Sequence, residues 1–248
     1  MKRLTKQNEH QIHQKNQYVN KFEEYLSEFV YGGIDGCVTT FAVVAGAVGA
    51  GLSSSIIIIL GFANLFADGF AMSVGAYLST KSQKDNYNKH KNVEYWEVEN
   101  LPEIEREEIR KIYQKKGFSG KLLEDIINVI TSNKDRWVDL MMKEELEMIE
   151  QKKSPMKIGL MTYISFILIG LIPLSIYVWD YFNPLTLNLF VWSSVLTAFG
   201  FIIIGLLKSY VNQTNKFKGV FETLLLGMIA ALVSFYVGHF LEILISSK

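Results

Sequence analysis

The chain has 248 residues, 49% of them hydrophobic, and 25 basic side chains balance 25 acidic ones. Zero net charge argues against a nucleic-acid-binding protein, which needs a basic patch to neutralise phosphates, and the single cysteine excludes an internal disulfide framework. The charge is unevenly distributed, because 31 of the 50 charged residues lie between Lys81 and Lys153. Residues 1–28 are polar and predict an N-terminal cytoplasmic segment rather than a signal peptide.

Two membrane helices are predicted within residues 29–80. The only formal charges in this stretch are Asp35 and Asp68, and a small polar patch at residues 49–55 divides it in two. A bilayer core needs about 20 apolar residues per helix. Residues 30–50 and 55–78 each supply that length, so the patch between them predicts a tight turn.

The charge-rich segment 81–154 is predicted to be a helical domain inserted after the second membrane helix. That helix is expected to continue past Thr80 to about Val98, since Pro102 predicts the start of the next helix. Apolar residues then recur at helical spacing. They predict three further helices, near residues 103–116, 120–131 and 134–151.

Residues 155–248 predict three more membrane helices. The stretch 158–207 holds one charge, Asp180, within an interface-like cluster of aromatic residues, Asn and Pro. Residues 219–247 make the fifth. Lysines mark the N-terminal segment, the insert and the loop 208–218, whereas the other two loops have no Lys or Arg. We therefore expect the N-terminus and the insert to be cytoplasmic and the C-terminus to lie outside.

Two Glu-x-x-Glu pairs in the insert are candidate metal ligands. Glu94 and Glu97 precede the Pro102 turn, and Glu105 and Glu108 follow it. Residues three apart share a helix face, so a turn that folds one helix back on the other would bring four carboxylates together. Such convergence is unfavourable without a cation. The alternative is a solvated acidic face, which is common on cytoplasmic helices.

A third candidate element is the run Met141-Met142-Lys143-Glu144-Glu145. Met141 and Glu145 are four residues apart, and therefore lie one above the other on a helix. Oxygen ligands alone suit Mg²⁺, Ca²⁺ or Mn²⁺, whereas added thioether sulfur favours a softer transition ion. The alternative reading places both methionines in the core of the helical domain.

Polar side chains within the predicted membrane helices suggest a path for a cation. An ionisable group in a membrane is unfavourable and is by default a functional candidate. Asp35 lies near the cytoplasmic start of the first helix, between glycines. Asn64, Asp68 and Met72 are spaced by four on the second helix, which forms a stripe of weak ligands. The alternative is that the two aspartates hydrogen-bond neighbouring helices.

Three strings of residues resemble the vacuolar iron transporter family and its bacterial relatives. They are Tyr-Gly-Gly-Ile-Asp-Gly at 31–36, Gly-Phe-Ala-Asn-Leu-Phe-Ala-Asp-Gly-Phe-Ala-Met-Ser-Val-Gly-Ala-Tyr-Leu-Ser-Thr-Lys-Ser at 61–82, and Trp-Val-Asp-Leu-Met-Met-Lys-Glu-Glu-Leu at 137–146. The resemblance implies an all-α integral membrane protein that forms a homodimer, with five transmembrane helices per chain and a cytoplasmic helical metal-binding domain between helices 2 and 3. It also implies export of Fe²⁺ or Mn²⁺ from the cytosol in exchange for protons, without an organic cofactor. We expect a bacterial plasma membrane.

The resemblance also assigns roles to single residues. The family's helix-one acid corresponds to Asp35 and its helix-two methionine to Met72. Some members have Glu at the position of Asn64, and many bacterial members have Glu at that of Ala76, so Asp68 is the candidate to replace a missing carboxylate. The family's cytoplasmic metal ligands correspond to Glu94, Glu97, Glu105, Glu108, Met141, Met142 and Glu145.

Two other functions compete with a transporter. A membrane-anchored iron-binding or iron-oxidising helical bundle would typically carry Glu-x-x-His motifs, and the sequence has none. A metal sensor or store would use the membrane part only as an anchor. Asp35 and Asp68 argue against a plain anchor, since it has no use for intramembrane carboxylates. We therefore predict a secondary transporter and not an enzyme.

Overall fold

The computed structural model describes residues 17–247, with side chains from residue 25 onward. In that range the chain is helical without strands, which confirms the predicted all-α class. Residues 1–16 of the predicted N-terminal segment lie outside the described residues. The helices are α1 (Gln17–Gly49), α2 (Ser54–Asn100), α3 (Pro102–Lys115), α4 (Gly120–Thr131), α5 (Lys134–Glu144), α6 (Pro155–Gly170), α7 (Ile172–Phe182), α8 (Leu189–Val211) and α9 (Lys216–Ser246).

Four helices are long and apolar enough to cross a membrane, namely α1 from Tyr25, α2, α8 and α9. The pair α6 and α7 makes a fifth candidate span, bent by 50° at Leu171. The bend has a local cause, because Pro173 has no N–H and its ring clashes with the carbonyl four residues earlier. The structure therefore has four candidate spans, or the predicted five if the bent pair crosses the membrane as one span.

The chain divides into two compact units. Among the described residues, one comprises 17–77 together with 153–247, and the other is Leu78–Lys152. The boundary between Tyr77 and Leu78 falls inside the 47-residue helix α2. The second unit thus consists of the last part of α2, helices α3 to α5 and the segment that follows α5.

In the first unit, α1 packs against α6, α8 and α9. Glycines permit the closest approaches, as is usual between membrane helices. A Cβ on Gly36 would lie 2.9 Å from the Cα of Phe166 and closer still to its carbonyl oxygen. On the other side of α1, the Ser234 hydroxyl donates a 2.6 Å hydrogen bond to the carbonyl of Ala42. Small residues therefore join α1 to both neighbours.

The second unit has a hydrophobic core of its own. Helix α4 buries one apolar face, as its helical spacing predicted, against Ile109 of α3 and Trp137 of α5. The predicted helix at 134–151 is too long, because α5 ends at Glu144. Glu147 adopts a positive φ of 52°, a left-handed conformation that a right-handed helix does not continue through.

Candidate metal-binding site

The turn between α2 and α3 brings the two acidic pairs together. Leu101 leaves the helical conformation with φ −130° and ψ 41°. Pro102 then starts α3, a position where its missing N–H costs nothing and its fixed φ suits a helix. Glu105 consequently lies in the first turn of α3, where the unpaired N–H groups favour a carboxylate.

Three glutamates from three helical segments converge in the second unit. Glu94 of α2, Glu105 of α3 and Glu145 at the end of α5 each place one carboxylate oxygen within 4.8 Å of the other two. Oxygens that share one cation at about 2.0–2.6 Å lie no more than about 5 Å apart. The three oxygens are therefore close enough to bind a single ion.

Glu94 and Glu105 are buried without a compensating partner. Their side chains are 3% and 4% exposed, and the Oε2 atom of each has no hydrogen-bond partner in the described part of the chain. No ion pair between described residues involves either of them or the exposed Glu145. A buried carboxylate without a partner is strongly unfavourable when ionised, so a proton or a cation is required here.

The surroundings shift the proton affinity of these groups. Burial, followed by repulsion from Glu145, Glu97 and Glu108, raises the pKa of Glu94 to about 7. Burial, followed by repulsion from Glu108 and the other three glutamates, raises the pKa of Glu105 to about 8. The pKa of Glu145 is raised by the same two causes. Burial and the repulsion between the glutamates thus both disfavour the ionised carboxylates, and a bound cation would offset both effects.

The remaining predicted ligands lie in the same unit in two different environments. Glu97 and Glu108 are half-buried and act on the other glutamates electrostatically. Met141 and Met142 are fully buried in the hydrophobic core. The Glu145 N–H donates a 3.0 Å hydrogen bond to the Met141 carbonyl, which places Glu145 one helical turn beyond that methionine.

Ion pairs that sequence reasoning missed fix the helices carrying the glutamates. Lys91 of α2 pairs with Asp139 of α5 at 3.2 Å, and the Tyr95 hydroxyl donates a 2.7 Å hydrogen bond to Asp135. Arg110 of α3 pairs with Glu124 of α4 at 3.0 Å. These partners are 14 to 48 residues apart in sequence, and no local pattern identifies them.

The predicted path residues all lie in the first unit and are half-buried. Asp35 of α1 and Asp68 of α2 are close enough to interact electrostatically. Met72 packs against the apolar cluster that contains Phe166. In the part of the chain that the structure describes, the carboxylates of Asp35 and Asp68 and the amide of Asn64 make no hydrogen bond or ion pair, and the Thr39 hydroxyl donates to the backbone carbonyl of Asp35 within the same helix. The alternative role of bonding adjacent helices is therefore not supported by a contact.

Comparison with known proteins places these features in a family context. The sequence profile of the VIT family matches residues 26–239. The chain is 34% identical over 242 residues to the vacuolar iron transporter of Plasmodium falciparum (isolate 3D7), covering 94% of this chain and 88% of that protein. It is 33% identical to the vacuolar iron transporter of Centaurea cyanus, covering 86% of each chain.

A third relative is the vacuolar iron transporter 1 of Arabidopsis thaliana, which is 30% identical over 213 residues, covering 86% of this chain and 84% of that protein. All three relatives come from eukaryotes and have vacuolar names. The expectation of a bacterial plasma membrane therefore gains no support from them, whereas a location in a membrane does.

Proposed function

Since the chain belongs to the VIT family, we propose that it is a transporter that moves Fe²⁺, Mn²⁺ or both across a membrane. The observation that carries the proposal is the cluster of Glu94, Glu105 and Glu145, each with one carboxylate oxygen within 4.8 Å of the other two; Glu94 and Glu105 each also have a buried Oε2 atom without a partner in the described residues. The relatives are named as iron transporters, and a carboxylate cluster of this size suits a divalent cation.

The first step we propose is collection of the ion by the insert. Glu94, Glu105 and Glu145 would bind it, while Glu97 and Glu108 add negative potential around the cluster. Met141 and Met142 would contribute thioether sulfur, which favours Fe²⁺ over Mg²⁺ or Ca²⁺. Ion binding replaces the protons that the raised pKa values of Glu94 and Glu105 retain near neutral pH.

The second step is passage through the membrane part. Asp35 and Asp68 supply carboxylates on α1 and α2, and the stripe of Asn64 and Met72 supplies weaker ligands. A partly dehydrated cation needs such groups in place of water, because an unaccompanied charge in the bilayer is costly. The half-burial of all four side chains in the single chain leaves them accessible to an ion.

Direction, coupling and assembly complete the proposal. Lysine-bearing segments mark the insert and the α8–α9 loop as cytoplasmic, so the ion would be collected from the cytosol and released on the opposite side. Protons would move the other way. A second copy would pair with the first so that the half-buried Asp35 and Asp68 of both chains line one shared path.

Ion flux into proteoliposomes tests the path. We expect Asp35→Asn to lower the initial rate of Fe²⁺ uptake at least about tenfold, because loss of one carboxylate partner weakens ion binding by more than about 1.4 kcal/mol. Glu242→Gln is the matched control, since it removes one negative charge from α9 and keeps an acceptor for the Ser246 hydroxyl. If Asp35→Asn transports at the wild-type rate, the proposed path is wrong.

A further inference from the structure

Helices α8 and α9 are close together where the short loop joins them. A Cβ on Gly205 of α8 would lie 2.8 Å from the Cα of Val220 on α9. The Thr223 hydroxyl lies 3.1 Å from the carbonyl of Phe201 and donates a hydrogen bond to it. Glycine and a buried hydroxyl therefore join the two helices tightly at this end.

Beyond Thr223 the two helices contact each other through aromatic side chains. The ring of Phe201 occupies the space beside Gly227, where an added Cβ would lie 2.9 Å from its Cδ2 atom. Further along, α9 also packs on α1, through the 2.6 Å hydrogen bond from Ser234 to Ala42. Helix α9 thus contacts both α8 and α1, and a groove lies between the three helices.

The groove has a volume of about 580 Å³ and no charged side chain in its lining. The rings of Phe41, Phe190 and Phe235 stack along it, with centroid separations of 6.2 and 6.0 Å. Its two hydroxyl side chains on α8, Ser194 and Thr197, already donate hydrogen bonds to carbonyls of their own helix. The groove therefore offers mainly apolar contact, with the hydroxyl of Tyr236 at one end.

The groove runs along the direction of the membrane-spanning helices. Its lining on α9 extends from Phe221 to Tyr236, a distance of about 22 Å at about 1.5 Å per residue. The hydrocarbon core of a bilayer is about 30 Å thick. Both α8 and α9 are candidate spans, so the groove covers most of the depth at which acyl chains lie.

We propose that this groove binds one acyl chain of a membrane phospholipid. A volume of about 580 Å³ spread over about 22 Å leaves a cross-section of roughly 26 Å², which is too small for a helix of a second copy, about 10–12 Å across with its side chains. An acyl chain gains no hydrophobic free energy by moving from other lipid into the groove. Its preference arises from van der Waals contact with the aromatic lining on several sides.

A phospholipid with a photoreactive diazirine near the end of one acyl chain tests the proposal. The full-length protein is reconstituted with this lipid and irradiated, and the labelled residues are located by mass spectrometry. We expect adducts on the groove residues Leu225, Met228 and Leu232. Two residues of the same helix outside the groove, Leu226 and Val233, are 55% and 58% exposed and should be labelled less.

A variant that fills the groove sharpens the test. Ala198→Phe adds a ring to the lining on α8, and we expect it to lower labelling of Met228 about tenfold, equivalent to about 1.4 kcal/mol. Val195→Phe is the matched control, because Val195 is 41% exposed on the same helix and does not line the groove.

Three results would overturn the proposal. They are equal labelling of Leu226 and Met228 in the wild type, unchanged labelling of Met228 in Ala198→Phe, and disulfide formation between copies of a Met228→Cys variant in the membrane. The first comparison uses the wild-type protein, so the proposal remains testable if Ala198→Phe does not fold. The outcome is also independent of ion transport, which a lipid-filled groove does not require.

Discussion

Glu94 and Glu105 stand on different helices, separated by the turn at Pro102, yet one carboxylate oxygen of each lies within 4.8 Å of the other. Both side chains are buried, and the Oε2 atom of each lacks a partner in the described part of the chain. Two such carboxylates destabilise a fold when both are ionised. Their close approach therefore requires that a proton or a cation neutralises at least one of the two carboxylates.

The stability of the metal-free insert should fall as the pH rises from about 5 to about 8. The pKa values of Glu94 and Glu105 are raised from 4.5 to about 7 and about 8, so the folded state binds protons more tightly than the unfolded state. This stabilisation is complete below pH 4.5 and is lost as the pH passes the folded-state values. Hydrogen exchange of the amides in α3 to α5, corrected for intrinsic rates, should show that the free energy of unfolding falls by roughly a few kcal/mol over this pH range.

Saturating Fe²⁺ or Mn²⁺ should reverse that pH dependence, because the ion binds the ionised carboxylates. Protection of α3 to α5 would then increase with pH over the same range. A metal-free insert that becomes more stable between pH 5 and pH 8 would contradict the burial of these two carboxylates.

The double substitution Glu94→Gln with Glu105→Gln should stabilise the metal-free protein and weaken metal binding. The amides remove the repulsion between buried charges, but they are poor ligands. We expect the metal affinity to fall about 100-fold or more, because loss of a hydrogen-bond partner of a ligand alone lowers it by about 10- to 100-fold. Calorimetric titration and thermal unfolding measure the two effects. Glu103→Gln is the control, since Glu103 is exposed on the same helix and should change neither quantity. Unaltered binding in the double variant would exclude these ligands.

Met141→Leu should change ion preference more than stability. Leucine conserves the volume of this fully buried side chain, so the unfolding free energy should change by less than about 1.5 kcal/mol. Loss of thioether sulfur should lower the affinity for Fe²⁺ relative to Mg²⁺. Competition titrations with both ions measure the ratio, and Leu140→Met serves as a control because it alters a partly buried neighbour on the same helix. An unchanged ratio would assign Met141 to the core alone.

Gly36→Ala should disrupt the contact between α1 and α6. The added methyl group would lie 2.9 Å from the Cα of Phe166 and also meet its carbonyl oxygen, and backbone atoms cannot move aside as a flexible side chain does. Gly75→Ala is the matched control, because nothing lies within 4 Å of a Cβ there and alanine favours a helix over glycine. Thermal unfolding in detergent should show a lower midpoint for Gly36→Ala only; equal midpoints would contradict the close packing.

The membrane spans were largely predictable, because a long apolar stretch can be recognised from the composition of a single segment without knowledge of its tertiary contacts. Long uncharged stretches located α1, α2, α8 and α9, and helical spacing located α4. The bend at Leu171 was not predicted, although Pro173 supplies a local cause. The end of α5 at Glu144 was missed because residues 145–151 are compatible with a helix, and the left-handed Glu147 has no glycine to signal it.

The three clustered glutamates, Glu94, Glu105 and Glu145, are among the ligands predicted from the sequence, whereas their burial was not predicted. The spacing of Glu94, Glu97, Glu105 and Glu108 around Pro102 indicated convergence, because a turn folds two helices together. The burial of Glu94 and Glu105 and the exposure of Glu145 depend on packing between helices distant in sequence. The pair formed by Lys91 and Asp139, 48 residues apart, is another such contact that no sequence pattern encodes.

Uptake of a panel of divalent ions by proteoliposomes under an imposed pH gradient tests the central claim most directly. The ions are Fe²⁺, Mn²⁺, Mg²⁺ and Ca²⁺, with protein-free liposomes as the baseline and an acidic interior to supply the counter-moving protons. The account predicts that Fe²⁺, Mn²⁺ or both accumulate well above the baseline, and that dissipating the gradient slows their uptake. Uptake of every ion at the protein-free rate would contradict it.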